Sequence, residues 1–150
     1  MTFLLDTCVV SELVARQPNP AVVHWVDGVG EDRLFLSVIT IGEIKRGIEK
    51  LAGSTRRSAV QEWLEDDLLV RFRDRILPID TAVMLVWARL AADLDKQGKR
   101  MPAIDALIAA TCLQGRLDLV TRSESDFAHT GVTVINPWTQ YKTLRVSENP

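Results

Sequence analysis

The sequence has few of the side chains that build several kinds of site. Of 150 residues, only two are cysteine and two histidine. Cys8 and Cys112 stand far apart in apolar surroundings, with no Cys-x-x-Cys pair, and the histidines are the isolated His24 and His129. A structural zinc site needs clustered thiolates and imidazoles, so none is expected. Two separated thiols fit a reducing compartment rather than a disulfide scaffold. Both are read as small buried hydrophobes. No apolar run approaches the roughly 18 residues of a membrane helix. The opening Met1-Thr2-Phe3-Leu4-Leu5-Asp6 lacks the basic start and long apolar stretch of a signal peptide. A cytoplasmic location without a membrane partner is therefore expected. Net charge is only -2, which excludes nucleic-acid binding by bulk positive charge, though not by a local patch. There is no internal repeat and no low-complexity segment.

What remains has the composition of an ordinary globular domain, 47% hydrophobic and 25% charged. The length suits one domain with a real core. We expect that domain over residues 1–138 and a loose polar tail over 139–150. Short apolar runs read as strands at Phe3–Leu5, Leu34–Val38, Arg75–Leu77, Leu117–Val120 and Val132–Ile135. Between them, helices are predicted over Cys8–Val14, Ala21–Asp27, Thr40–Leu51, Ser54 to about Arg71, Thr81 to about Gln97 and Ala103–Leu113. Gly115 is expected to stop the last of these. Alternation of this kind predicts an α/β fold, a parallel sheet of four to five strands covered on both faces. Crossovers in such sheets are right-handed, and ligands bind at the carboxyl edge of the strands.

Four acids map to that edge. Asp6 directly follows the first strand. Glu43 is placed in the first turn of the helix after the second. Asp105 opens the helix before the fourth strand, and Asp126 lies in the loop after it. Each has a structural alternative. Asp6 could cap a helix. Thr40-Ile41-Gly42-Glu43 matches a capping box. Asp105 could complement a helix dipole, and Asp126 could serve a turn. Capping does not require all four on one edge, however. Gathered there, four carboxylates repel one another, and a hard cation such as Mg²⁺ or Mn²⁺ relieves the repulsion. Asp80 is read as a helix N-cap, and Glu124 as a second choice to Asp126. Trp63 and Trp87 sit on apolar helix faces and are read as core. Lys45, Arg46, Lys50, Arg56 and Arg57, with Lys96, Lys99 and Arg100, are candidate contacts to a polyanion or simply solvated faces.

Four blocks then carry a resemblance. Leu4-Leu5-Asp6-Thr7-Cys8-Val9-Val10-Ser11-Glu12-Leu13 opens the chain. Ser37-Val38-Ile39-Thr40-Ile41-Gly42-Glu43-Ile44-Lys45-Arg46-Gly47-Ile48 follows, then Pro102-Ala103-Ile104-Asp105-Ala106-Leu107-Ile108-Ala109-Ala110-Thr111. Last comes Leu119-Val120-Thr121-Arg122-Ser123-Glu124-Ser125-Asp126-Phe127 with Asn136-Pro137-Trp138. In this order they resemble PIN-domain proteins of the VapC branch, FitB-like toxins of type II toxin–antitoxin systems. The resemblance implies a PIN-like α/β/α sandwich and a Mg²⁺- or Mn²⁺-dependent endoribonuclease that arrests translation by cutting RNA. It also implies homodimers and a VapB-like antitoxin partner. It assigns metal-binding carboxylates to Asp6, Glu43, Asp105 and Asp126, and a hydroxyl that orders water to Thr121. Ser123 stands where the family commonly has Asn, and Cys112 where it has a small residue. The alternative from another class is a catalytically silent module that only binds RNA or a partner protein. A phosphatase-like hydrolase with an Asp nucleophile lacks its usual second Asp two residues after Asp6.

Overall fold

The computed structural model describes residues 1–139. The expected loose tail lies, apart from Thr139, outside the described residues. Five parallel strands form one sheet in the order β3-β2-β1-β4-β5. They are β1 (Phe3–Leu5), β2 (Leu34–Ser37), β3 (Ile76–Leu77), β4 (Asp118–Val120) and β5 (Val134–Ile135). β1 is central, pairing Phe3 with Leu34 on one side and with Asp118 on the other. Side-chain alternation divides the core between two faces. Phe3, Leu5, Leu34, Leu36 and Val120 pack with α1 (Thr7–Val14), α2 (Pro20–Gly28), α3 (Val38–Lys50) and the helical stretch after it. Leu4 and Leu119 face the opposite way, onto Ile108, Ala109 and Cys112 of α7 (Ala103–Gly115). α6 (Thr81–Lys96) packs beside α7. The α/β/α sandwich expected from the sequence is thus the observed architecture, with the upper of the two expected strand numbers.

Three local expectations need correction. The second strand ends one residue early, because Ser37 serves as N-cap: its Oγ accepts from the Ile39 N–H at 3.0 Å. α3 therefore begins at Val38 rather than Thr40. Glu43 falls in its second turn, and Thr40 caps nothing. The stretch from Ser54 to Arg71 is helical, but its middle, Trp63–Leu68, widens to a π-helix between α4 (Thr55–Glu62) and α5 (Leu69–Arg71). At the end of α7, Gly115 stays helical and Arg116 takes the left-handed conformation, φ 56°. Asp80 behaves as read, its Oδ1 accepting from the Val83 N–H at 2.9 Å.

Candidate active site

The carboxyl edge of β1 carries the most constrained acid. The Asp6 N–H donates to the Val120 carbonyl, which ties it to β4. Its Oδ1 accepts from the Thr7 N–H at 2.9 Å, so it does cap α1. Its Oδ2 faces the other way and accepts from the buried Thr121 hydroxyl at 2.8 Å. Asp6 therefore has two roles, and helix capping uses one oxygen. The Thr7 hydroxyl donates to Glu43 Oε1 at 2.6 Å and lies 3.1 Å from Thr40 Oγ1. That contact orients Glu43 from the second turn of α3 and removes the capping-box alternative.

Asp105 opens α7 and Asp126 lies in the short helical turn Glu124–Phe127. Both line one cleft of about 310 Å³. Among the described residues, neither carboxylate has a hydrogen bond or ion pair of its own. Glu124 does not line this cleft.

Electrostatics joins the four. Burial pushes the Asp6 carboxyl above its ordinary pKa. The Thr121 and Thr7 hydrogen bonds pull it back, and the charges of Glu43 and Asp126 push it up again. Asp105 is raised first by burial, then by Asp6, Asp126 and Glu43. No cation figures among the influences on either group. Each of the two is thus raised by its neighbouring acids as well as by burial.

The chain compares closely with known proteins. A family model for the PIN domain matches residues 3–132. Toxin FitB of Neisseria gonorrhoeae is 38% identical over 135 residues, 90% of this chain and 97% of that protein. The VapC ribonuclease Y4jK of Sinorhizobium fredii is 36% identical over 135 residues, 90% of this chain and 96% of that one. The structure of FitAB bound to an IR36 DNA fragment superimposes with a TM-score of 0.87 at 36% identity, covering 91% of this chain and 96% of that one. This chain belongs to the PIN-domain family, among the FitB and VapC toxins.

In this PIN domain the acids share one edge and one field without closing into a chelate. Among the described residues, no three carboxylate, imidazole or thiol groups come together tightly enough to hold a metal ion by themselves. The donors are nonetheless all hard oxygens. Mg²⁺ keeps several waters and needs only one or two protein carboxylates, so an open, water-completed site fits them.

Sequence reasoning left three neighbours of this edge without a role. Thr7 bridges Asp6 and Glu43, and only its position after Asp6 signals this. Cys8, read as a buried hydrophobe, is half-buried with its Sγ 3.5 Å from Thr121 Oγ1, and burial pushes its thiol up. His129 lines the cleft of Asp105 and Asp126, with no sequence signal beyond being one of two histidines. Of the basic candidates, Lys45 and Arg57 pair with Glu49, whereas Lys99 and Arg100 line the cleft. Trp63, read as core, packs against it, whereas Trp87, also read as core, is only half-buried and joins neither core cluster, its Nε1 lacking a hydrogen-bond partner among the described residues.

Proposed function

We propose that this PIN domain is the toxin of a toxin–antitoxin pair and acts as a divalent-metal-dependent endoribonuclease. The single observation that carries the metal-dependent reading is the sharing of one field by four acids at the carboxyl edge: beyond the effect of burial, Glu43 and Asp126 raise Asp6, and Asp6, Asp126 and Glu43 raise Asp105. Asp6 and Asp105 would be the principal Mg²⁺ or Mn²⁺ ligands, Glu43 would assist, and Asp126 would complete the site. A bound ion would supply Lewis acidity and an activated water for attack at phosphorus. The chain itself supplies the orientation. The Thr7 N–H and the Thr121 hydroxyl fix the Asp6 carboxylate on both oxygens. The Thr7 hydroxyl fixes Glu43. Thr121 also accepts from the Ser123 N–H at 3.2 Å, which shapes the loop that presents Asp126. This backbone bond does not need the Asn side chain common at position 123 in the family.

The similarity to the VapC ribonuclease supports RNA as substrate, and the similarity to FitB and the FitAB structure supports a partner antitoxin. α6 and α7 leave Met84, Leu85 and Ile104 exposed, apolar surface that a second copy of the chain would cover. No helix among the described residues is long and apolar enough to cross a membrane.

The test is cleavage of RNA by the purified chain with Mg²⁺ or Mn²⁺. Cleavage is expected to stop in EDTA, and Asp6→Asn and Asp105→Asn should each lower kcat by about a hundredfold or more, or about 2.7 kcal/mol of barrier. Cleavage that persists in EDTA defeats the metal reading. RNA binding without any cleavage favours the silent binding module.

A further inference from the structure

Two loops meet at the cleft that holds Asp105 and Asp126, and each brings nitrogen donors to it. Lys99 and Arg100 come from the connection between α6 and α7, and His129 from the loop after β4. Lys99 Nζ lies 3.4 Å from His129 Nδ1, so the two loops nearly touch over the cleft. Each loop is held from below. Gly98 sits at φ 67°, and the Lys99 N–H donates to the Leu94 carbonyl at 2.9 Å. The buried Thr130 hydroxyl donates to the Phe127 carbonyl at 2.7 Å and accepts from the Val132 N–H. These side chains are presented by ordered turns.

Their pairing is the informative part. Three basic groups share a cleft with two carboxylates, yet among the described residues none of them forms an ion pair with Asp105 or Asp126. Arg100 makes only a 3.8 Å contact with Asp95, its side chain 92% exposed. No ion pair ties the basic groups to the two carboxylates, so both sets remain open to a ligand. A polyanion whose reacting phosphate is drawn to the acidic wall through a cation brings a second phosphate with it. That second phosphate needs donors and no cation. An ammonium, a guanidinium and an imidazole N–H supply them.

We propose that Lys99, Arg100 and His129 bind the phosphodiester neighbouring the scissile one and so set the path of the RNA strand across the site. The inference rests on the ribonuclease reading for which bond is cut, but not for the binding itself. The cleft volume, about 310 Å³, is at the lower end of small-ligand sites, roughly 300–1,000 Å³. Lys99, Arg100 and His129 are positioning residues on this account, acting on binding and leaving the chemical step to the acids.

The experiment measures binding separately from cutting. A labelled single-stranded RNA is titrated into the full-length Asp6→Asn protein in Mg²⁺, across a range of salt. Lys99→Ala, Arg100→Ala and His129→Ala should each raise Kd about three- to tenfold. The two losses of fixed charge should each reduce the slope of log Kd against log salt by about 0.7. Lys99→Arg should restore both. In the active protein the same substitutions should raise KM and leave kcat within about twofold. Arg73→Ala, at the amino-terminal edge of the sheet, should change nothing. Unchanged Kd and salt slope overturn the proposal, as does a fall in kcat alone. Absence of RNA binding by the parent protein overturns it too, and so does tighter Lys99-dependent binding of an acidic peptide than of RNA. A protein that binds RNA through these residues and never cuts it defeats the ribonuclease reading alone. One that cuts RNA without using them defeats this inference alone.

Discussion

Asp6 and Asp105 sit where burial and neighbouring acids disfavour the ionised carboxylate, and that has a measurable price in stability. Asp105 binds its proton more readily in the folded chain than in the unfolded one, through burial and then through Asp6, Asp126 and Glu43. A group with a raised folded pKa stabilises the fold below its unfolded pKa, and that contribution is lost as pH rises through the folded value. Asp105→Asn should therefore raise the melting temperature at pH 7 in EDTA. The gain should shrink toward zero as pH falls below about 4, where the wild-type carboxyl is protonated as well. Calorimetry against pH checks this, and a variant that melts no higher at pH 7 would mean that burial and the neighbouring acids do not disfavour the Asp105 carboxylate. Asp6 carries the same raised pKa, but its substitution also disturbs the α1 cap, so Asp105 is the cleaner probe.

At the scale of elements, most boundaries were legible because apolar runs and caps agree. Phe3-Leu4-Leu5 ends at an acid, and Asp80 precedes a long amphipathic face. The misreadings came where two signals competed. Ser37 and Thr40 are both of the residue types that cap helices, and the Thr40–Glu43 spacing favoured the wrong one. Only the contact of Thr7 with Thr40 and Glu43, across 33 and 36 residues of chain, decides it. The wide turn at Trp63–Leu68 leaves no mark in composition. At the end of α7, glycine was expected to stop the helix, but Gly115 stays helical, where an added Cβ would stand 2.6 Å from Leu117 Cδ1 and that side chain would have to shift. Backbone freedom is needed one residue later, at Arg116. Arg116→Gly should relieve left-handed strain and stabilise the fold by about 1 kcal/mol, or roughly 2–4 °C in melting temperature. Thermal unfolding of the single variant measures it. For the site, the four acids could be read from topology because each follows or precedes a strand end. Lys99 could be named but not located, and His129 was invisible. Their meeting depends on the shapes of two loops, which no periodicity encodes.

Over the whole molecule, the acidic edge is assembled from β1, α3, α7 and the loop after β4, and so a ligand there clamps most of the fold. Mn²⁺ at a hundredfold excess over its Kd should stabilise the protein by about 2.7 kcal/mol. For a chain this long that is roughly 5–10 °C in melting temperature. The shift should vanish in Asp105→Asn, and differential scanning fluorimetry reads both.

The sheet order has a further consequence for how such a protein comes into being. β1 is made first yet lies in the middle, and its far neighbour β4 starts at Asp118. Thr121, which steadies Asp6, and Asp126 emerge later still. A chain still on the ribosome has its first carboxylate but not the partners that place it. A copy interrupted before β4 lacks Thr121 and Asp126, and with them the assembled acidic edge.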